Sequence, residues 1–203
     1  MGLDVFVVGT DSDSFDETTR WTVSKMLAQI RRQNAALVPF ELGQINGMPG
    51  NEWAEVGGCL RLHRLRGYAA HLELIGVPPA APHSGPGYYA QLDEAYNDLS
   101  KIKRFRHLID HEDNGGYYFP LDFAKPFELR ETGSSVGSSP RLLDELLDLN
   151  QHLQVPENHP MPGSPGFASI IDGDPWETEK DVWAVLHWFA RESVDRKLLL
   201  VFA

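Results

Sequence analysis

The segment Leu198–Phe202 reads LLLVF, with no polar residue and no alternation. A strand of that composition is stable only when both of its faces are covered. Its natural partner is the other short β-branched run, residues 3–8, where Val5, Val7 and Val8 flank Phe6 and Gly9 stops the run. Pairing the two ends of the chain makes the fold an α+β one. The material between them is mainly helical, which predicts four or five helices beside a small sheet. The 203 residues suit a single globular domain over 1–203. Residues 77–87, VPPAAPHSGPG, form its internal linker.

Helix signals are clear at several places. Ser14 and Glu17 have the spacing of a capping box, and the helix that follows over about 15–33 buries Val23, Met26, Leu27 and Ile30 on one stripe. A strand is expected near 36–42. Leu65, Tyr68, Leu72 and Ile75 share a helical face that Gly76 ends. The spacing of Tyr88, Leu92, Ala95, Leu99, Ile102, Phe105 and Ile109 predicts one long helix over 88–110, with acids in its first half and bases in its second that counter the macrodipole. Residues 117–123, YYFPLDF, form a short extended segment, and 131–139, ETGSSVGSS, a loop. Ser139 and Pro140 are N-cap and N1 of a leucine-rich helix, and Asp174 with Glu177 opens the last one.

The densest polar cluster is His107, Asp110, His111, Glu112, Asp113 and Asn114. Histidines four apart on a helix share a face and can bind a transition metal, with a carboxylate as third ligand. A zincin would need Glu at position 108, which is Leu108. A calcium loop starting at Asp110 would need a bidentate Glu at position 121, which is Leu121. The simpler reading is that these groups finish the negative end of the long helix. Asp11, Asp13 and Asp16 after the first strand fit either a magnesium site or helix capping, and capping is favoured. Residues 133–139 lack the Lys of a phosphate loop, and no G-x-S-x-G elbow is present. Cys59 has no partner for an internal disulfide. Trp53 is the tryptophan that helical core spacing leaves unexplained, which marks it for a binding surface.

His111 to Phe123, HEDNGGYYFPLDF, resembles a motif of uncharacterised bacterial and phage proteins, roughly His-Ser-Asp-Cys-x-Gly followed by aromatics and a Pro-x-x-Phe end. Asp113, Gly116, Tyr117, Tyr118, Pro120 and Phe123 match, while Glu112 stands where Ser is usual and Asn114 where Cys is usual. Leu62 to Gly76 is similar to a second piece of those proteins, an aromatic-Arg helix ending in Gly. The resemblance implies a globular bacterial protein and no activity.

Charge sets the functional expectation. With 18 basic and 29 acidic residues the formal net charge is −11, which repels phosphate backbones and anionic lipid. No apolar run approaches the roughly 20 residues that cross a bilayer, and no signal peptide is read at the start. The expectation is a cytoplasmic, non-enzymatic interaction or accessory protein, immunity-like, binding a basic protein partner through an acidic surface. Neither nucleic acid nor membrane is expected as partner, and no cofactor is required. The rival is a metal-dependent hydrolase in which His107, Asp110 and His111 hold a divalent ion and Glu112 or Asp113 is the base.

Overall fold

A computed structural model describes residues 3–33, 40–46, 52–82, 90–112, 115–164, 166–167 and 171–203. Its element order is β1 (Asp4–Val8), α1 (Glu17–Gln33), β2 (Trp53–Glu55), α2 (Cys59–Ile75), α3 (Ala90–Asn97), α4 (Arg106–Ile109), β3 (Gly116–Phe119), β4 (Phe127–Leu129), β5 (Ser134–Ser138), α5 (Ser139–Leu153), α6 (Glu177–Arg196) and β6 (Leu199–Phe202). A 3-10 turn at Leu99–Lys101 lies between α3 and α4. The class is α+β; among the described residues six helices are delimited, rather than four or five, beside a mixed sheet of six strands ordered β2-β1-β6-β3-β5-β4. Every neighbouring pair is antiparallel except β3 with β5.

The terminal strands pair as expected, Val5 opposite Phe202 and Val8 opposite Leu199, and all four residues of β6 are buried. Alternation divides their side chains between two cores. Leu200, Phe202, Val5, Val7 and Tyr118 join the larger one, with α2, α5 and α6. Leu199, Val201, Val8, Phe119 and Val136 join a smaller one against Val23, Met26 and Ile30 of α1. Each such aliphatic side chain removed from water contributes about 1.5–3 kcal/mol, so β6 anchors both layers. Trp183 of α6 is fully enclosed, its indole N–H donating to the Leu146 carbonyl at 2.7 Å.

Several expectations need correction. The predicted helix over 88–110 is broken: α3 ends at Asn97, Ile102 is extended (φ −88°, ψ 117°), and only Arg106–Ile109 is helical again. Carboxylates from elsewhere take the N–H groups that an unbroken helix would use. Glu73 of α2 accepts from Lys103 and Arg104 at 3.1 and 2.9 Å, and Glu145 of α5 from His107 and Leu108. Leu92, Ala95, Ile102, Phe105 and Ile109 are buried all the same.

The loop expected at 131–139 contains β5. Gly137 is there for space: a Cβ on it would lie 2.5 Å from the Tyr118 ring. The cap of α5 is Ser138, one residue earlier than expected, accepting from the Arg141 N–H. Asp16, not the Ser14–Glu17 box, caps α1 through the Thr19 N–H at 2.7 Å. Asp174 caps no helix end directly; its carboxylate takes the Trp176 N–H ahead of α6. The strand expected near 36–42 falls largely outside the described residues, and 40–42 are not in a strand. Residues 77–82 of the expected linker are non-helical, and 83–87 lie outside the described residues. No helix among the described residues is long and apolar enough to cross a membrane.

Candidate functional site

The segment after α4 is built by close packing around two histidines. His111 is buried, with its ring flat on Tyr118, centroids 4.2 Å apart. Gly116 must be glycine here, because its φ is +106° and a Cβ would meet the Ser135 carbonyl at 2.6 Å and His111 at 2.8 Å. The His111 ring nitrogens lie 3.1 Å from the Glu112 carbonyl (Nδ1) and 3.2 Å from the Tyr117 carbonyl (Nε2). Burial, then the neighbouring Arg66 guanidinium, lowers its pKa to about 4, so the ring is neutral at pH 7.

Arg66 is wholly buried in α2, donating to the Leu108 carbonyl at 2.7 Å and the Glu112 carbonyl at 3.3 Å. It thereby ties this segment to the helical layer. Tyr118 adds a hydrogen bond from its hydroxyl to the His107 carbonyl at 2.8 Å.

His107 faces a different environment. Its Nδ1 accepts the Ser138 N–H at 3.0 Å, which places the ring proton on Nε2. Burial lowers its pKa to about 4 as well. Because α4 ends at Ile109, the two histidines do not share a helix face: both His111 nitrogens face backbone carbonyls, whereas His107 uses only Nδ1, its Nε2 being buried without a hydrogen-bond partner among the described residues. Among the described residues no group of three or more His, Cys, Asp or Glu could hold a metal ion. Asp113 and Asn114, part of both the metal and the calcium-loop readings, lie outside the described residues.

The carboxylates beside them do share a site. Asp110 and Glu112 line an open cleft of about 590 Å³ together with Glu128 of β4, against walls of Tyr96, Phe127 and Ser135. No Lys or Arg is among its described lining residues. Burial raises the pKa of Asp110, opposed by Arg106, whose guanidinium lies 3.2 Å away. Glu112 and Glu128 are exposed, and Glu112 Oε2 lies 3.4 Å from the Ser135 N–H. Glu128 was missed from sequence. Its alternation in Phe127-Glu-Leu129, apolar then acidic then apolar, is the period-2 signal that could have found it.

The other acidic knot has a structural use. Asp11 accepts the Ile45 and Asn46 N–H groups at 2.7 and 3.0 Å, and Asp16 caps α1. Elsewhere the balance of charge is lopsided. At least eight of the 18 Lys and Arg side chains are held in ion pairs. By contrast Asp13, Glu17, Glu41, Glu52, Asp93 and Glu131 are exposed with no ion pair among the described residues.

Comparison with known families gives one match. A family model described as "Putative DNA-mimic protein" matches residues 1–202. The match runs along the chain and lends no support to the His-Ser-Asp-Cys-x-Gly motif read at His111–Phe123. No curated protein and no solved structure matches. One expectation is corrected by the description. The expected partner, a basic protein at large, is replaced by a protein that recognises DNA, while the setting aside of nucleic acid itself as partner is untouched by the description.

Proposed function

Because the chain belongs to this DNA-mimic family, we propose that it works by stoichiometric binding, setting carboxylates where a DNA-binding protein expects phosphates. The chemistry is shared. A carboxylate and a phosphate both offer paired oxygens to the planar fork of an arginine or to a lysine ammonium. Duplex DNA carries a charge about every 1.7 Å of its axis, so a mimic needs many acids with few cations among them.

The observation that carries this reading is the cleft of Asp110, Glu112 and Glu128, in which Arg106 answers Asp110 while neither glutamate has an ion pair among the described residues. A basic side chain from a partner would supply the missing charge. The wider surplus of unpaired acids adds long-range attraction that speeds encounter. Such binding suits an accessory or immunity-like role, in which the partner is silenced or shielded while occupied.

The test is displacement. Purified DNA-binding proteins from the same cells are loaded with fluorescently labelled duplex and titrated with this protein while anisotropy is followed. Release of duplex from at least one of them, with a midpoint that rises steeply with salt, supports the reading. Release no better than that produced by an unrelated protein of equal net charge overturns it.

A further inference from the structure

β2 ends the sheet, and its outer edge is open among the described residues. The register defines what that edge offers. Val7 donates to the Glu52 carbonyl and Val56 to the Leu3 carbonyl, with Val5 opposite Ala54 between them. These are the hydrogen-bonded pairs, so the backbone N–H and C=O groups of Trp53 and Glu55 point away from β1.

A groove of about 610 Å³ runs beside this edge. Residues 53–55 form one wall, Met161–Ser164 the other, and Asp181 and Val185 of α6 contribute from the helical layer. Ser164 Oγ is buried without a hydrogen-bond partner among the described residues. The side chains flanking the edge are acidic or aromatic: Glu52 and Glu55 are exposed, and Trp53 is 50 % exposed. Arg61 engages one oxygen of Asp181.

We propose that this edge takes an arginine-bearing extended segment, which pairs with the backbone of Trp53 and Glu55 as a seventh strand. Alternate side chains of such a segment fall on opposite faces of the sheet. Those on one face reach Asp181 and the Ser164 hydroxyl. Those on the other lie beside Trp53 and Glu55, where a guanidinium stacks on the indole and bonds the carboxylate. Basic arms that bind nucleic acid have this chemistry. The inference rests on the DNA-mimic reading for the identity of its partner, and on the strand edge for its geometry.

The experiment uses the whole protein and two synthetic peptides of equal charge. One alternates arginine with valine and threonine. The other carries proline at its central position, which removes a ladder N–H. Expected results are protection of the Trp53 and Glu55 amides from hydrogen exchange by the first peptide, and about tenfold weaker binding of the second, the order expected when strand pairing is lost. Trp53→Ser weakens the first peptide about fivefold, as loss of an exposed cation–π contact should.

Equal binding of the two peptides overturns the proposal, as does protection elsewhere or no binding at all. The wild-type exchange pattern decides the matter even if the Trp53 variant misfolds. Displacement of DNA without protection of this edge retires the edge and leaves mimicry standing. Protection of the edge without displacement does the reverse.

Discussion

The carboxylate of Glu145 accepts the backbone N–H of His107 at 2.8 Å, and its second oxygen takes that of Leu108 at 2.8 Å. A four-residue helix has no partners of its own for its first N–H groups, so α5 caps α4 from the side. Burial pushes the Glu145 carboxyl up to about 8 against the pull of these two donors. Replacing it with glutamine leaves one acceptor oxygen and turns an amide donor against the other N–H. Glu145→Gln is expected to cost about 1–3 kcal/mol, the penalty of an unsatisfied buried donor. Urea unfolding at about pH 9, where the Glu145 carboxyl is ionised, measures it, and an unchanged midpoint would mean that the cap contributes nothing.

Gly137 offers a second stability test. With Tyr118 ring atoms 2.5 Å from a built Cβ and His111 at 3.3 Å, Gly137→Ala must push β5 off β3 or displace the rings. Overpacking of this kind costs about 1–3 kcal/mol. Thermal unfolding of the variant should show a lower Tm, whereas a higher one would mean that the aromatic layer has room to spare.

Acid should weaken the fold through its histidines. His107, His111 and His187 are each held near a pKa of about 4, chiefly by burial, against an ordinary value of 6.5. Unfolded chains therefore bind more protons than the native state between about 4 and 6.5, and stability falls as pH drops through that window. Glu145, raised to about 8, has the opposite slope above 4.5, and Asp110, raised by burial, shares its sign, while His159, lowered by burial, adds to the three histidines. Carboxylate repulsion is relieved mainly below about 4.5, so in the interval from pH 6.5 to 5 the histidines act against these two carboxyls alone and outweigh them. A Tm that stays flat across it would contradict their burial as neutral rings.

The acidic cleft predicts a binding defect without a folding defect. Glu112 and Glu128 are exposed, so Glu112→Gln with Glu128→Gln should leave Tm within about 1 °C, as surface changes do. The same pair should raise the concentration needed to displace duplex DNA about tenfold and flatten its salt dependence, since two partner cations lose their counter-charges. Displacement identical to wild type would assign the contact to other carboxylates.

What could be read from sequence divides by where the hydrogen bonds go. Helices α2, α5 and α6 satisfy their own backbones, so periodicity and the left-handed Gly76 revealed them. The break within 88–110 was hidden, because the groups that cause it, Glu73 and Glu145, are distant in sequence. β5 was hidden for a related reason. Its serines and Gly137 are weak strand formers, and the need for Gly137 comes from the proximity of Tyr118 rather than from propensity. At the candidate site Asp110 and Glu112 stood out by density, whereas Glu128 comes from a three-residue strand too short to announce itself. The histidines were visible as residues, yet their burial depends on the aromatic packing of β3, which no spacing along one helix encodes.

β6 has one further consequence. Among the described residues it alone joins the β2–β1 pair to the β3–β5–β4 group, and it follows the other strands in sequence. Until Leu199–Phe202 pairs between them, the two groups of strands therefore remain separate, and folding of the sheet as one unit waits on that segment.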